Sequence, residues 1–470
     1  MARDFLANVF SLSGSRLVVV LSQLLVLPVV ARYLDVAEFG DVALAMTVVL
    51  FTQLLSDAGL SRSLIRKEDY DPVEWNSVFW FLVMVGIALA GALLCIAPIW
   101  AAWFERPALA GLVSALAATP FLLSASAVPT ARMERASRFP AIAAIRTLSS
   151  LAGFATAVIL AKAGAGAWAL IWQQIVIALV QAGGAFCMSG FRPLSPRKRL
   201  PLGEHAVFAR DSLATSFLFV AQKQLPMMMI GYALGPAPLG LYSMSQRVLN
   251  LPLLGLANPM SQVAYVKMSR AQKDPARIGE IYVACVSLLA LAICPPMATL
   301  AAVGDTAFTV LLSEPWRPVA TIFALAAPGI ALEASTASTG VLLQAINRTG
   351  IRFRMVLERT ALRLVLVAAA LPFGVEAVAF SITLSSLLFL PRVFGVVASA
   401  IGMNAASAYA ALARPVLISA VLWAACSWIQ ANTTGWMTLL LAAACLAAVW
   451  SATGLATLGR LRRSIVAISA

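Results

Sequence analysis

The chain has 470 residues, 61% of them hydrophobic and 11% charged, with a mean hydropathy of +0.90. A soluble chain of this length carries about 45–50% apolar and about 25% charged residues, and here the apolar excess runs along the whole sequence. That excludes a soluble enzyme on one anchor, a secreted disulfide scaffold and a disordered protein; the composition is that of an all-α polytopic membrane protein.

Apolar runs bounded by charge, Gly and Pro place fourteen spans near 5–31, 40–57, 78–100, 107–129, 141–162, 166–188, 207–231, 238–262, 278–302, 317–343, 355–372, 374–398, 412–430 and 435–457. At about 20 residues per crossing, only short connections are left over. The first run follows Arg3 with no small-residue cleavage site before Tyr33, so it reads as a permanent span rather than a removable signal. Cys95, Cys187, Cys285, Cys294, Cys426 and Cys445 all fall inside apolar runs without C-x-x-C spacing, and read as packing residues.

Lys and Arg total 34 against 20 Asp and Glu, a formal charge of +14. On a soluble protein that balance would point to nucleic acid; on a membrane protein its placement sets orientation. The termini and even-numbered connections hold 22 basic residues, among them Arg132, Arg135, Arg138, Arg192, Lys267, Arg270 and Arg348. The odd-numbered connections hold four: Arg32, Arg106, Lys162 and Arg317. The asymmetry predicts fourteen crossings with both termini cytoplasmic.

A weak internal repeat appears at a spacing of 200 residues. Tyr33-Leu34-Asp35-Val36-Ala37-Glu38-Phe39-Gly40 lies over Ala233-Leu234-Gly235-Pro236-Ala237-Pro238-Leu239-Gly240, and Lys67 over Lys267. In both copies a span is expected to end in a tight turn closed by the Gly. Six spans per unit make the copies parallel. The expected architecture is an N-terminal six-helix lobe over 1–190, a cytoplasmic linker over 191–206 and a pseudo-symmetric second lobe over 207–398. Residues 399–470 add a thirteenth and fourteenth helix and a tail. Two such lobes around a midplane site are a frame for alternating access.

Eight bases remain inside the expected spans: Arg16, Arg146, Arg210, Lys223, Arg247, Arg359, Arg363 and Arg392. The acids at similar depth are chiefly Glu333 and Glu358, with Asp57 and Asp211 near the cytoplasmic ends. A charge at the bilayer centre costs about 2.5–3.5 kcal/mol on insertion scales, so the bases need water, partners or a route to the headgroups. Arg146, Arg210 and Arg392 are near enough to span ends to snorkel. Arg352, Arg359 and Arg363 are spaced seven and four residues apart on one helical face, where like charges repel. That face is sensible if it lines a watery cavity that receives an anion; pairing with Glu333 or Glu358 is the alternative, and the acids are too few to serve every base. A cationic cavity suits phosphate-bearing cargo. Pro28, Pro98, Pro120, Pro226, Pro252, Pro259, Pro295, Pro296 and Pro328 suggest bendable helices. No P-loop, H-E-x-x-H motif or nucleophile elbow occurs, and the single histidine, His205, lies in a basic loop.

Several stretches resemble a family. They are Gly14-Ser15-Arg16, Ala31-Arg32-Tyr33-Leu34, Glu38-Phe39-Gly40, Asp57-Ala58-Gly59-Leu60, Leu239-Gly240-Leu241-Tyr242-Ser243-Met244-Ser245-Gln246-Arg247, Asn258-Pro259 and Pro315-Trp316. Together they resemble the O-antigen and exopolysaccharide repeat-unit flippases of the multidrug/oligosaccharidyl-lipid/polysaccharide exporter superfamily. The resemblance implies two six-helix lobes. It also implies movement of an undecaprenyl-diphosphate-linked oligosaccharide from the cytoplasmic to the periplasmic leaflet of the bacterial inner membrane, by a carrier that is no enzyme and needs no cofactor or metal. Its partners would be the lipid-linked oligosaccharide, membrane lipids and the polymerase and chain-length or export machinery, with no nucleic acid. Arg16, Lys223, Arg247, Arg359 and Arg363 are the expected contacts to the diphosphate. Asp57, Glu333 and Glu358 are the candidate ion-coupling or salt-bridge acids. Relatives often place an acid about five residues before the position of Gly231; Pro226 stands there in this chain. A cation-coupled multidrug exporter would be expected to line its cavity with acids, and a lipid-linked sugar polymerase or ligase needs a large outer loop with Arg and His. The longest expected outer connection, 303–316, has neither. A peptidoglycan-precursor flippase would differ only in cargo.

Overall fold

The computed structural model describes residues 25–56, 60–66, 71–194 and 203–469, and among them the fold is helical, with no strand. In chain order the helices are α1 (Val36–Leu55), α2 (Leu60–Arg66), α3 (Pro72–Trp103), α4 (Ala108–Leu116), α5 (Ala118–Arg135), α6 (Phe139–Lys162), α7 (Trp168–Ser189), α8 (Gly203–Leu234), α9 (Pro236–Leu249), α10 (Asn258–Arg270), α11 (Pro275–Ala302), α12 (Gly304–Leu311), α13 (Val319–Ser335), α14 (Ser338–Ala345), α15 (Thr349–Ala370), α16 (Val375–Ile401), α17 (Ala405–Asn432) and α18 (Trp436–Ser469). Ten spans among the described residues are long and apolar enough to cross a membrane. This is a multi-pass membrane protein. Large apolar side chains such as Val421, Trp428, Leu440 and Phe373 lie on its outside, where lipid replaces water as the solvent. Trp428 and Trp436 flank the turn between α17 and α18, a position suited to aromatic anchors at a membrane interface.

Three expected single spans carry a local irregularity. The 238–262 span divides into α9, a π-helical turn over Leu253–Ala257 and α10. The 317–343 span stays one crossing with a tightened turn at Thr336–Ala337 between α13 and α14, and the 107–129 span one crossing with only Ala117, itself in helical conformation, between α4 and α5. Hydropathy sees only the apolar content of such a run, which a local irregularity does not alter. The expected 303–316 connection is largely helix, with Trp316 fully buried. Residues 1–24, which hold most of the first expected span, lie outside the described residues.

Contacts divide the chain after Gly240. In the first unit α6 pairs with α7, α3 with α5, and α8 runs along α1. A cluster of Leu64, Trp75, Phe79, Leu82, Val128 and Phe191 locks α2, α3 and α5 together. Arginines of the last turn of α5 and the residues after it tie down helix ends: Arg132 Nη1 donates to the Gly190 carbonyl (2.9 Å), Arg138 Nη1 to Met188 (3.2 Å) and Arg135 Nη1 to Leu64 (3.2 Å). Cations near a helix C-terminus satisfy carbonyls that have no intrahelical partner.

The glycine corners of the repeat meet each other inside this unit. A Cβ on Gly40 would stand 1.8 Å from the Pro236 carbonyl oxygen, and one on Gly240 2.0 Å from the Val36 carbonyl oxygen. The correspondence is reciprocal at the same 200-residue spacing. The sequence suggests that each glycine closes a turn; instead both lie inside helices, Gly40 as the fifth residue of α1 and Gly240 as the fifth of α9. Asp35, with Glu38 folded back to its backbone N–H (3.0 Å), caps α1 and starts the helix sooner. Gly235, at φ 87°, makes the turn before α9.

In the second unit α11 is central, packing on α13, α17 and α18, while α16 lies between α13 and α15. The α13–α16 contact is set by Pro328 and Gly329. Pro328 lies within α13, and the Gly329 N–H donates to Thr383 Oγ1 (3.1 Å), which in turn donates to the Leu325 carbonyl. A side-chain hydroxyl thus stands in the helical ladder between residues four apart, a recognised cause of a local bend. A Cβ on Gly329 would come within 2.5 Å of Thr383 Cα, so only Gly allows the approach.

Candidate substrate-binding site

Helix α15 begins at Thr349, earlier than the expected span, and carries Arg352, Arg359 and Arg363 on one face. Glu333, in the last turn of α13, meets the upper part of that face. Its Oε1 accepts from Arg359 Nη1 at 3.2 Å and its Oε2 from Arg363 Nη2 at 2.7 Å. One carboxylate therefore serves two guanidiniums. That relieves the repulsion between cations four residues apart, yet the trio keeps a surplus of one positive charge. The site is poor in solvent: the side chains of Arg359, Arg363 and Glu333 are 25%, 12% and 18% exposed. In such a setting an uncompensated charge acts more strongly than in water.

Three further features complete the cluster. The Arg359 guanidinium stands over the Phe389 ring, 5.0 Å from its centroid, which holds a cation without neutralising it. Buried Tyr242 of α9 is within electrostatic range of Arg363. Arg363 Nε is buried with no hydrogen-bond partner, although buried donors are nearly always satisfied. Lower on the helix, Arg352 lies against Gly340 of α14, its Nε 3.4 Å from where a Cβ would be.

Glu358, adjacent to Arg359 in sequence, belongs to another face. Arg392 of α16 grips it at both oxygens, Nε to Oε2 at 2.9 Å and Nη2 to Oε1 at 3.0 Å. Arg392 is thus held by a carboxylate rather than reaching freely towards headgroups, and Glu358 is engaged there rather than on the Arg352–Arg363 stripe. Arg247 is on α9 in the same unit as the stripe, with an accessible side chain. Lys223 is on α8 in the first unit and is exposed; its neighbour Gln224 is buried and accepts from the Thr47 hydroxyl at 3.2 Å. Arg16 and Asp57 lie outside the described residues. Of the expected set, the structure brings together Arg359, Arg363 and Glu333.

Tyr242 and Phe389 are additions that the sequence does not single out. Tyr242 falls within the Leu-Gly-Leu-Tyr stretch, which is the one available signal; nothing marks Phe389. In the first unit a second ion pair also escapes the sequence analysis. Buried Asp41 accepts from Arg106 Nη2 at 2.7 Å and Nε at 3.2 Å. Asp41, Glu38, Gly111 and Trp168 line a cavity of about 360 Å³. Its acids have structural duties, Asp41 to Arg106 and Glu38 to the α1 cap.

Residues 29–321 match the family described as polysaccharide biosynthesis protein, which is more than half of the chain. The chain belongs to that family. It is 28% identical over 315 residues to the succinoglycan biosynthesis transport protein ExoT of Rhizobium meliloti, covering 66% of this chain and 63% of that protein. It is 23% identical over 366 residues to the lipopolysaccharide biosynthesis protein WzxC of Escherichia coli, covering 77% and 73%. The chain thus spans less than two thirds of the first relative's length. Among solved structures, the lipid II flippase MurJ in an inward closed conformation superposes with a TM-score of 0.76 at 12% identity, covering 96% of this chain and all of that one. An inward-facing multidrug transporter of the MATE family superposes at 0.56 with 13% identity, covering 83% and 94%. These likenesses establish a shared fold, and its all-α, multi-pass character is the one expected from the sequence.

Proposed function

We propose that this chain is a flippase for a polyprenyl-diphosphate-linked oligosaccharide repeat unit. It carries the unit from the cytoplasmic to the periplasmic leaflet of a bacterial inner membrane during polysaccharide biosynthesis. The observation that carries the proposal is the two-to-one arrangement of Arg359 and Arg363 on Glu333, with its surplus charge in a site of low solvent access. A diphosphate offers several acceptor oxygens and negative charge to planar guanidinium donors. A cationic drug would meet repulsion there. Arg247, Lys223 and Arg16 are assigned as further phosphate contacts along the cargo's route. Family membership and the transport names of ExoT and WzxC support the same reading.

Transport proceeds by alternating access. Cargo shifts the balance of conformations only through its differential affinity for them, so net movement needs release on the outer side to be made favourable, by an ion gradient or by consumption of the product. The consumer would be a polymerase with its chain-length and export machinery, and both termini of the chain would face the cytoplasm.

Deleting the gene tests this directly. Lipid-linked repeat units are expected to accumulate on the cytoplasmic leaflet, measured by their protection from a membrane-impermeant glycosidase added to intact spheroplasts. Normal delivery to the outer leaflet with failed chain growth would instead make the chain a polymerase.

A further inference from the structure

Glu333 occupies the place where the cargo's phosphate would be expected. Resting on the assignment of Arg359 and Arg363 as diphosphate contacts, we propose that Glu333 is a built-in competitor: it holds the two guanidiniums in the empty carrier and is displaced from one or both when a diphosphate headgroup arrives.

Three observations support this. First, the carboxylate is a bidentate stand-in for a phosphate, using one oxygen for each arginine at 3.2 and 2.7 Å. Second, the trio is not saturated. Arg363 Nε is buried without a partner, and the two guanidiniums carry one more charge than Glu333 returns, so a dianionic ligand is better matched to the pair than the side chain that holds it. Third, Glu333 stands one turn before a local irregularity at Thr336–Ala337, where the helix tightens to bonds between residues three apart and Thr336 Oγ1 donates to the Leu332 carbonyl (2.9 Å). An irregular turn next to the carboxylate is a place where a small backbone shift can carry it away from the arginines.

The chemistry has a purpose in a carrier. A pair of bare guanidiniums would bind a diphosphate tightly and release it slowly. An internal anion that re-forms its bonds as the cargo leaves lowers the affinity and speeds release. Because the two anions compete for the same donors, removing one strengthens the binding of the other.

The test compares wild type with Glu333→Gln, Glu333→Asp and Arg359→Gln. Each is purified full length in detergent and titrated calorimetrically with inorganic pyrophosphate and, separately, geranylgeranyl diphosphate. Glu333→Gln is expected to bind both about tenfold more tightly and to export polymer more slowly in cells. Glu333→Asp, whose shorter carboxylate reaches the arginines less well, should fall between. Arg359→Gln, left with a one-to-one pair and no surplus charge, should bind most weakly of the four. A residue that only positions the arginines would give the reverse: weaker binding in Glu333→Gln, with Glu333→Asp partly restoring it, and that result overturns the proposal. Tighter binding of the lipid diphosphate but not of pyrophosphate would keep the proposal and assign the site to a lipid headgroup. If wild type and all variants bind neither probe, the diphosphate assignment itself fails and the proposal falls with it.

Discussion

Arg363→Ala is expected to cut polymer export at least about thirtyfold at equal protein level, measured as surface polysaccharide in a complemented deletion strain. Arg363 is less exposed than Arg359 and donates the shorter of the two bonds to Glu333. Losing one partner of a buried, hydrogen-bonded charge pair costs about 2–5 kcal/mol, and the lower figure is about thirtyfold in an equilibrium constant. The change also removes the surplus charge, since Glu333 and Arg359 remain as a neutral pair. Arg363→Lys should rescue only weakly, because an ammonium is a point donor and cannot span two acceptors as a guanidinium does. Arg392→Ala is the contrast: its pair with Glu358 is exposed and faces away from the stripe, so export should be retained. Export unchanged in both Arg247→Ala and Arg363→Ala would remove the basic site from the mechanism.

The second large effect is expected at Gly40. With a backbone carbonyl 1.8 Å from the place of a Cβ, even Gly40→Ala forces the starts of α1 and α9 apart, and Gly240→Ala should do the same from the other side. Overpacking of a close contact costs about 1–3 kcal/mol and occasionally more, and here the obstacle is backbone on both sides. Thermal unfolding of the purified protein should show a lowered Tm for each variant and a greater loss for a bulkier Gly40→Val. Gly91 within α3 is the control, because nothing lies within 4 Å of its missing Cβ. Gly91→Ala should leave Tm unchanged or raise it slightly, as Ala favours a helix by about 1 kcal/mol over Gly. Equal Tm for Gly40→Ala and wild type would mean that the corner is not close-packed.

The helices and the site they position differ in how far the sequence alone discloses them. The helices are legible because lipid tolerates almost no other backbone, so apolar length nearly dictates where they run. The phase of Arg352, Arg359 and Arg363 is legible for a similar reason, since a spacing of seven and four is a fixed angle on a helix. The partner of that stripe is not. Glu333 reaches it across 26 and 30 residues of chain, through an irregular helical stretch and a connection before α15 whose geometry no local pattern specifies. Glu358, nearest in sequence, is turned to Arg392 because neighbours on a helix point about 100° apart. Gly40 and Gly240 announce a special position, but a glycine in a turn and a glycine at a backbone crossing look alike until the partner segment is seen. The pair of Asp41 and Arg106 is hidden in the same way, its members 65 residues apart.

The most direct measurement is transbilayer movement in vesicles containing the purified protein and a polyprenyl-diphosphate-linked oligosaccharide. Cleavage by an external glycosidase reports the share of cargo on the outer leaflet. Wild type is expected to render nearly all of the cargo cleavable, while Arg363→Ala vesicles leave the inner-leaflet share protected, as protein-free vesicles do. A protected inner share in wild-type vesicles under every imposed ion gradient, or equal movement by wild type and Arg363→Ala, would contradict the flippase reading.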